Sequence, residues 1–260
     1  MLEINKFNSK QILEKFQEFK IDNLECLFIA SNLGKIGLIP GHDRKYLLET
    51  IFNALRKINP KLTIVVPTAT LNLVNSENIF DLKNTPSDKM GPFSEYVRQL
   101  NTSLRSFHAI WSLSANGPLA EFITKDISKH AYDQNSTFSR LFKIKKSSFL
   151  AIGQHPRFML SIIHHFENIC NVPYRFKKEF TINCKVGEHL KNETFILDVI
   201  KNHLPSHLRT KNKKIFENFE EKGKLYQASL GKGNMYYFDM NKFYSITKKL
   251  FEDDINCWLK

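Results

Sequence analysis

The chain is poor in the residues that mark special environments. It holds 4 cysteines among 260 residues, Cys26, Cys170, Cys184 and Cys257, and no CxxC pair. That spacing argues against a disulfide framework and a thiolate metal site. Cys26 and Cys170 sit in apolar stretches and read as core residues. With 10 glycines and 9 prolines, the chain has no low-complexity tract, and no internal repeat is visible. No apolar run approaches the roughly 20 residues that a membrane span needs. Met1 to Lys20 alternate polar and apolar side chains without the apolar centre of a signal peptide. The expectation is a cytoplasmic protein with no membrane partner and no metal.

Acidic residues are also the minority, 26 against 38 Lys and Arg, for a net charge of +12. A field of that sign gathers anions and repels polycations. Nucleic acid is one anionic partner; small nucleotide-bearing molecules such as CoA or a nucleotide sugar are another. The basic residues are spread out, with one dense cluster from Arg209 to Lys214 that reads equally as a solvated loop. No nucleic-acid motif accompanies it, so no nucleic-acid partner is expected. The 22 phenylalanines, with many Lys, Ile and Asn, read as the coding bias of an AT-rich genome.

What is present has the rhythm of an α/β fold. Ser9 caps a predicted helix over 9–20 with Ile12, Phe16 and Phe19 on one face. Cys26 to Ala30 is a buried strand that breaks into a loop of small residues, Ser31 to Gly37. His42-Asp43 opens a helix whose apolar face is Tyr46, Leu47, Ile51, Ala54 and Leu55. Leu62 to Val66 is the next strand, stopped by Pro67. Strand, loop, helix, strand is a βαβ unit. Residues 67–140 are irregular, with short helices near 92–99 and 118–125, a length that is usually functional. A strand over 147–153, a helix over 158–170, a strand region over 174–185, a hairpin around Gly231 to Asn234 and a closing helix over 241–253 follow. The expected architecture is a mixed central sheet flanked by helices, with a long irregular active-site segment. The length fits one domain, 1–260, or two lobes divided near 172.

Two constellations carry chemistry. On the 158–170 helix, His164 and Glu167 are three positions apart and share a face, whereas His165 points away. A carboxylate that orients a histidine and stabilises its imidazolium is what a general base needs; the same spacing is also common surface decoration. The second constellation is Thr85, Ser87, Glu95, Arg98, Arg105, Ser106 and His108. It is either a capped surface loop or an anion site built on Arg105 and Ser106.

In order along the chain, these elements resemble the aminoglycoside 3-N-acetyltransferase family. The residues that carry the likeness run from the strand-to-loop element Ile29-Ala-Ser-Asn-Leu-Gly34 through Val66-Pro67-Thr68, Thr85-Pro86-Ser87 and Met90-Gly91-Pro92 with Glu95 and Arg98. Arg105-Ser106-Phe107-His108, Ser112 to Gly117, His130, Ser136 to Phe138, Arg140-Leu141 and the pair His164 and Glu167 continue it. Two positions depart from the family pattern: Ala30 stands where a histidine is usual, and Ala109 where a proline is usual.

The resemblance implies an acyl-CoA-dependent N-acyltransferase, with acetyl-CoA or another acyl-CoA as co-substrate. It implies CoA contacts at Ser31, Asn32, Leu33, Gly34, Thr68, Arg105, Ser106, His108 and Ser112, and acceptor contacts at Thr85, Ser87 and Glu95. His164 is then the base and Glu167 its orienter, with Thr68 or a nearby backbone N–H for the oxyanion. Backbone N–H groups of 31–37 would cradle the pyrophosphate. The positive charge favours a nucleotide-linked amino sugar for surface glycan biosynthesis as acceptor. An aminoglycoside is the alternative, and a non-catalytic nucleic-acid-binding or regulatory protein the remote one. A homodimer stays open.

Overall fold

In a computed structural model of the chain, which describes residues 6–201 and 213–259, a seven-stranded mixed sheet runs through the molecule. Its centre is the three strands that read most apolar, β1 (Cys26–Ser31), β2 (Thr63–Pro67) and β6 (Ser147–Ile152), all fully buried. β1 lies between the other two and is parallel to both, Cys26 facing Thr63 on one side and Ser147 on the other. Short antiparallel strands extend one edge, β5 (Leu113–Asn116) on β2 and β4 (Ser103–Arg105) on β5. β10 (Gly233–Asp239) and β9 (Tyr226–Leu230) extend the other edge from β6.

Side chains alternate across the strands, and the alternation divides the core in two. Cys26, Phe28, Ala30, Val65, Phe149 and Ala151 face one apolar cluster, while Leu27, Ile29, Ile64, Val66, Leu150 and Ile152 face the other. The second cluster is covered by α1 (Ser9–Glu18), α2 (Arg44–Ile58) and α3 (Pro92–Gln99). The first is covered by α4 (Ala120–Thr124), α5 (Thr137–Lys143), α6 (Ile163–Ile169), α7 (Lys213–Glu221) and α8 (Met240–Asp253). Among the described residues the twelve largest fully buried side chains are all phenylalanine, so the surplus of that residue fills the core.

A second sheet of three strands stands apart, ordered β3 (Phe80–Asp81), β7 (Arg175–Val186), β8 (His189–Ile200). β7 and β8 form a long hairpin in register from Arg175↔Ile200 to Val186↔His189.

Several elements differ from expectation. The first helix is capped by Asn8, whose side chain accepts from Gln11 N while Gln11 reciprocates, so Ser9 is already helical. Tyr46 is exposed and stacks on His42 instead of entering the core. The helix expected over 158–170 is a 3-10 turn at Pro156–Phe158 followed by the short α6. The irregular segment contains β3, β4 and β5. Cys170 is half-buried rather than core. The tip of the predicted hairpin is the pair Gly231-Lys232. Arg209 to Asn212 of the basic cluster lie outside the described residues, and Lys213 opens α7.

Candidate active site

Parallel strands present a crevice at their carboxyl ends, widest where the chain leaves a central strand for opposite sides. β1 is such a strand here. At its end, with the ends of β2 and β6, lies a cleft of about 560 Å³ lined by Ala30 to Gly34, Pro67, Lys89 to Pro92, Gln154 and His164 among others. Both tryptophans of the chain, Trp111 and Trp258, line it as well. The loop is clamped from both sides. Gly153, at the end of β6, has φ +84, and a Cβ there would sit 2.1 Å from Asn32 O, so only glycine lets the strand end approach. Gly91 (φ +87) makes a similar approach to Ser31 O. The Asn32 carboxamide donates to Gln154 Oε1 at 3.0 Å, which fixes the wall between them. The amides of Asn32, Lys35, Ile36 and Gly37 are bonded to backbone carbonyls. A cradle spread over the whole loop is therefore narrowed to the Leu33–Gly34 corner.

The Arg105 constellation lies elsewhere. Arg105, Ser106, His108, Ser112 and Thr68 are buried beneath the cleft wall, not on it. Arg105 Nε donates to Ser112 Oγ at 2.9 Å, its Nη2 to Thr68 O at 2.6 Å and its Nη1 to Thr85 O at 2.5 Å. The guanidinium also lies over the Phe80 ring, 5.0 Å from its centroid. Burial, helped by the charge of Arg98, lowers its pKa to about 9 against the smaller upward pull of Glu95 and Asp81. The Thr68 hydroxyl is turned inward to Ser112 and Ser114 at 3.2 Å, so it does not face the cleft as an oxyanion donor. His108 Nδ1 accepts from the backbone N–H groups of Ile110 and Trp111. Its burial, with His130 nearby, pushes the imidazole down to about 3. These residues tie the segments 67–70, 85 and 105–113 together, a different place from the direct CoA contact expected of them.

Thr85, Ser87 and Glu95 are half-buried and do not line the cleft. Glu95 Oε2 accepts from Ser87 N and Oγ at 3.1 and 3.0 Å and from Arg98 Nε at 2.9 Å. Burial works to raise the Glu95 pKa, but the Arg98 and Ser87 hydrogen bonds outweigh it and hold the carboxyl near about 2. This network shapes the loop that carries Lys89 to Pro92.

The α6 pair meets as its spacing requires. His164 Nδ1 lies 2.5 Å from Glu167 Oε2; the histidine side chain keeps 23% of its exposure while that of Glu167 has none. His165 is buried, with its Nδ1 donating to the Tyr132 carbonyl at 2.7 Å. Sequence reasoning missed Arg175, the first residue of β7. Its Nε makes an ion pair with Glu167 Oε2 at 2.6 Å, at an angle that is not a hydrogen bond's, and its Nη2 reaches His164 Nδ1 at 3.1 Å. Its Nη1 donates to Asp198 O at 2.8 Å. Burial alone would raise the Glu167 pKa; the charges and contacts of His164 and Arg175 outweigh it and hold Glu167 below the usual carboxylate range. The ionised carboxylate is the shorter and stronger partner of Nδ1, which assigns the imidazole proton there and leaves a lone pair on Nε2. The Tyr132 ring packs edge-on against the imidazole, with centroids 5.2 Å apart, and limits its rotation.

A family model described as aminoglycoside 3-N-acetyltransferase matches residues 28–252. The chain belongs to this family. It is an acyl-CoA-dependent N-acetyltransferase by that membership, and acetyl-CoA is its co-substrate. Solved structures share the fold. Aminoglycoside acetyltransferase AAC(3)-Xa superposes with a TM-score of 0.79 at 17% identity, over 98% of this chain and 94% of that one. The YokD protein from Bacillus subtilis does so with 0.78 at 18%, over 96% and 95%. AAC-IIIb, solved as a binary complex with CoASH, gives 0.78 at 18%, over 95% and 97%. No curated protein sequence matches the chain. No helix among the described residues of this acetyltransferase is long and apolar enough to cross a membrane.

Proposed function

We propose that the acetyltransferase moves an acetyl group from acetyl-CoA directly to an amino group on a sugar, with His164 as general base. The observation that carries this reading is the cleft-facing imidazole whose Nδ1 is held by a buried, ionised Glu167. A sugar amine is largely protonated at neutral pH and must lose a proton before its nitrogen can attack the thioester. Nε2 of His164 takes that proton; Glu167, itself anchored by Arg175, stabilises the imidazolium. The thioester oxygen gains charge as the nitrogen attacks, and N–H donors at the Leu33–Gly34 corner of the cleft wall receive it in this reading. The nitrogen's second proton leaves as the tetrahedral species collapses and CoA departs as the thiol.

Family membership makes an aminoglycoside the acceptor with most support. That AAC-VIa has been solved with sisomicin bound points the same way for that protein. A second reading, an anionic nucleotide-linked amino sugar of surface glycan synthesis, rests on the charge of the cleft. Among the described residues its lining includes Lys89 and Arg157 and no Asp or Glu, which suits a phosphorylated acceptor and not a polycation. Thiol release measured with aminoglycosides and nucleotide amino sugars side by side, at two salt concentrations, separates them. An anionic acceptor loses kcat/KM as salt rises, because screening shortens to about 8 Å near 0.15 M. Efficient acetylation of an aminoglycoside without turnover of any nucleotide amino sugar removes the second reading. No thiol release with any amine sinks both.

A further inference from the structure

Phe158 is the most exposed large apolar side chain among the described residues, at 62%. Scattered apolar side chains on a surface need no explanation, but this one lines the mouth of the active-site cleft, beside Arg157, Gln154 and Asn32. The Arg157 guanidinium lies over the Phe158 ring, 4.4 Å from its centroid. Nor is the turn that carries them loose. Pro156 begins it with a fixed φ, and His155 Nδ1 accepts from Arg157 N at 3.2 Å. The opposite nitrogen of His155 then carries its proton and donates to Glu220 Oε1 at 3.0 Å, while the ring packs edge-on against Phe216 and Tyr236. A water-exposed aromatic ring with a guanidinium stacked over it, carried on a hydrogen-bonded turn, is what a nucleobase stacks on. The hydrogen-bonded amides of Asn32 and Gln154 line the same cleft, and so does Lys89, a positive charge for phosphate.

We infer that Phe158 and Arg157 form a stacking platform for the base of a nucleotide at the cleft mouth. The inference rests on the reading of this cleft as the site of acyl transfer, and it adds the part of the ligand that lies farthest from the chemistry. Two molecules bring such a base: CoA through its adenine, and a nucleotide-linked amino sugar through its own. The platform serves one of them.

Calorimetric titration of the whole protein with CoA, with 4′-phosphopantetheine (CoA without its adenosine), and with AMP and UMP separates the two. Phe158→Ala removes the ring and Phe158→Trp keeps a larger one. If adenine stacks there, Phe158→Ala weakens CoA by roughly 10-fold, leaves phosphopantetheine unchanged, and Phe158→Trp restores affinity. If the acceptor's base stacks there, Phe158→Ala leaves CoA unchanged but weakens UMP or AMP measured with CoA already saturating. The platform is overturned if Phe158→Ala alters none of these, or weakens phosphopantetheine as much as CoA. Gly34→Phe marks the cleft itself, since a Cβ at Gly34 meets only Asn32 Oδ1, at 3.6 Å, and strains nothing. Unchanged CoA affinity in Gly34→Phe would show that CoA binds elsewhere. The AMP and UMP titrations of parent and Phe158→Ala protein then decide the platform alone.

Discussion

Two buried polar clusters flank the cleft, and they are built on opposite electrostatic plans. Around Arg105, one cation is held by neutral oxygens, the carbonyls of Thr68 and Thr85 and the hydroxyl of Ser112, with a phenylalanine face behind it. Around Glu167, an ionised carboxylate is held by a cation and an imidazole, and the imidazole lines the cleft. In the first cluster the cation is spent on other protein groups; in the second, beside a buried Glu167 Oε1 with no hydrogen-bond partner among the described residues, the imidazole Nε2 is left to accept a proton. Motifs of similar polar composition thus divide into a part that shapes the cleft and a part able to do chemistry in it.

The largest effect expected from breaking the contrast is at His164. His164→Ala should lower kcat by about 10²–10⁴-fold with CoA affinity nearly intact, whereas His165→Asn, on the far face, should be mild in kcat. Single-turnover rates and CoA titrations check both; a kcat loss confined to the His165 variant would reverse the assignment. Next is Arg105→Met, which leaves two carbonyls and a hydroxyl without their donor. It should cost about 3 kcal/mol in denaturant unfolding, while the surviving folded fraction turns over at close to the parental rate.

Arg175 tests the other side of the comparison. Arg175→Gln releases Glu167 from its ion pair and should lower kcat by about 10-fold, shifting the acidic limb of the kcat/KM profile, with Arg175→Lys recovering part of the loss. A change in stability with an unmoved pH profile would make Arg175 a packing residue only. The smallest effect belongs to His108. Its folded pKa, about 3, lies below the ordinary histidine value of 6.5, so the unfolded chain binds the extra proton between those values. The stability this confers is fully present above about pH 6.5 and is lost as pH falls toward 3. His108→Asn should flatten that part of the curve of Tm against pH.

The centre of the fold was readable from sequence because β1, β2 and β6 are buried on both faces and read as unbroken apolar runs. β3, β4 and β5 were not, since strands of two to four residues exist only through partners far along the chain. β8 was hidden by its half-exposed pattern, which mixes Lys, Asn and Glu with the apolar side. At the site, the His164–Glu167 contact follows from helical spacing alone. Arg175 leaves no such signal, because a turn separates α6 from the strand that it opens. His108 and Arg105 carried a strong motif, but a motif does not say whether its residues face inward or toward the cleft.

The placement of Trp111 and Trp258 on the cleft wall, with no other tryptophan in the chain, gives the enzyme a built-in optical label. Its intrinsic fluorescence comes from the cleft itself, so light emitted near the indole maximum reports occupancy without a dye. Replacing either indole by phenylalanine assigns the signal to one wall. A ligand that quenches Trp111 but not Trp258 has entered beside the end of β2 and not beneath the chain's last turn, and stopped-flow emission would time each substrate's arrival separately.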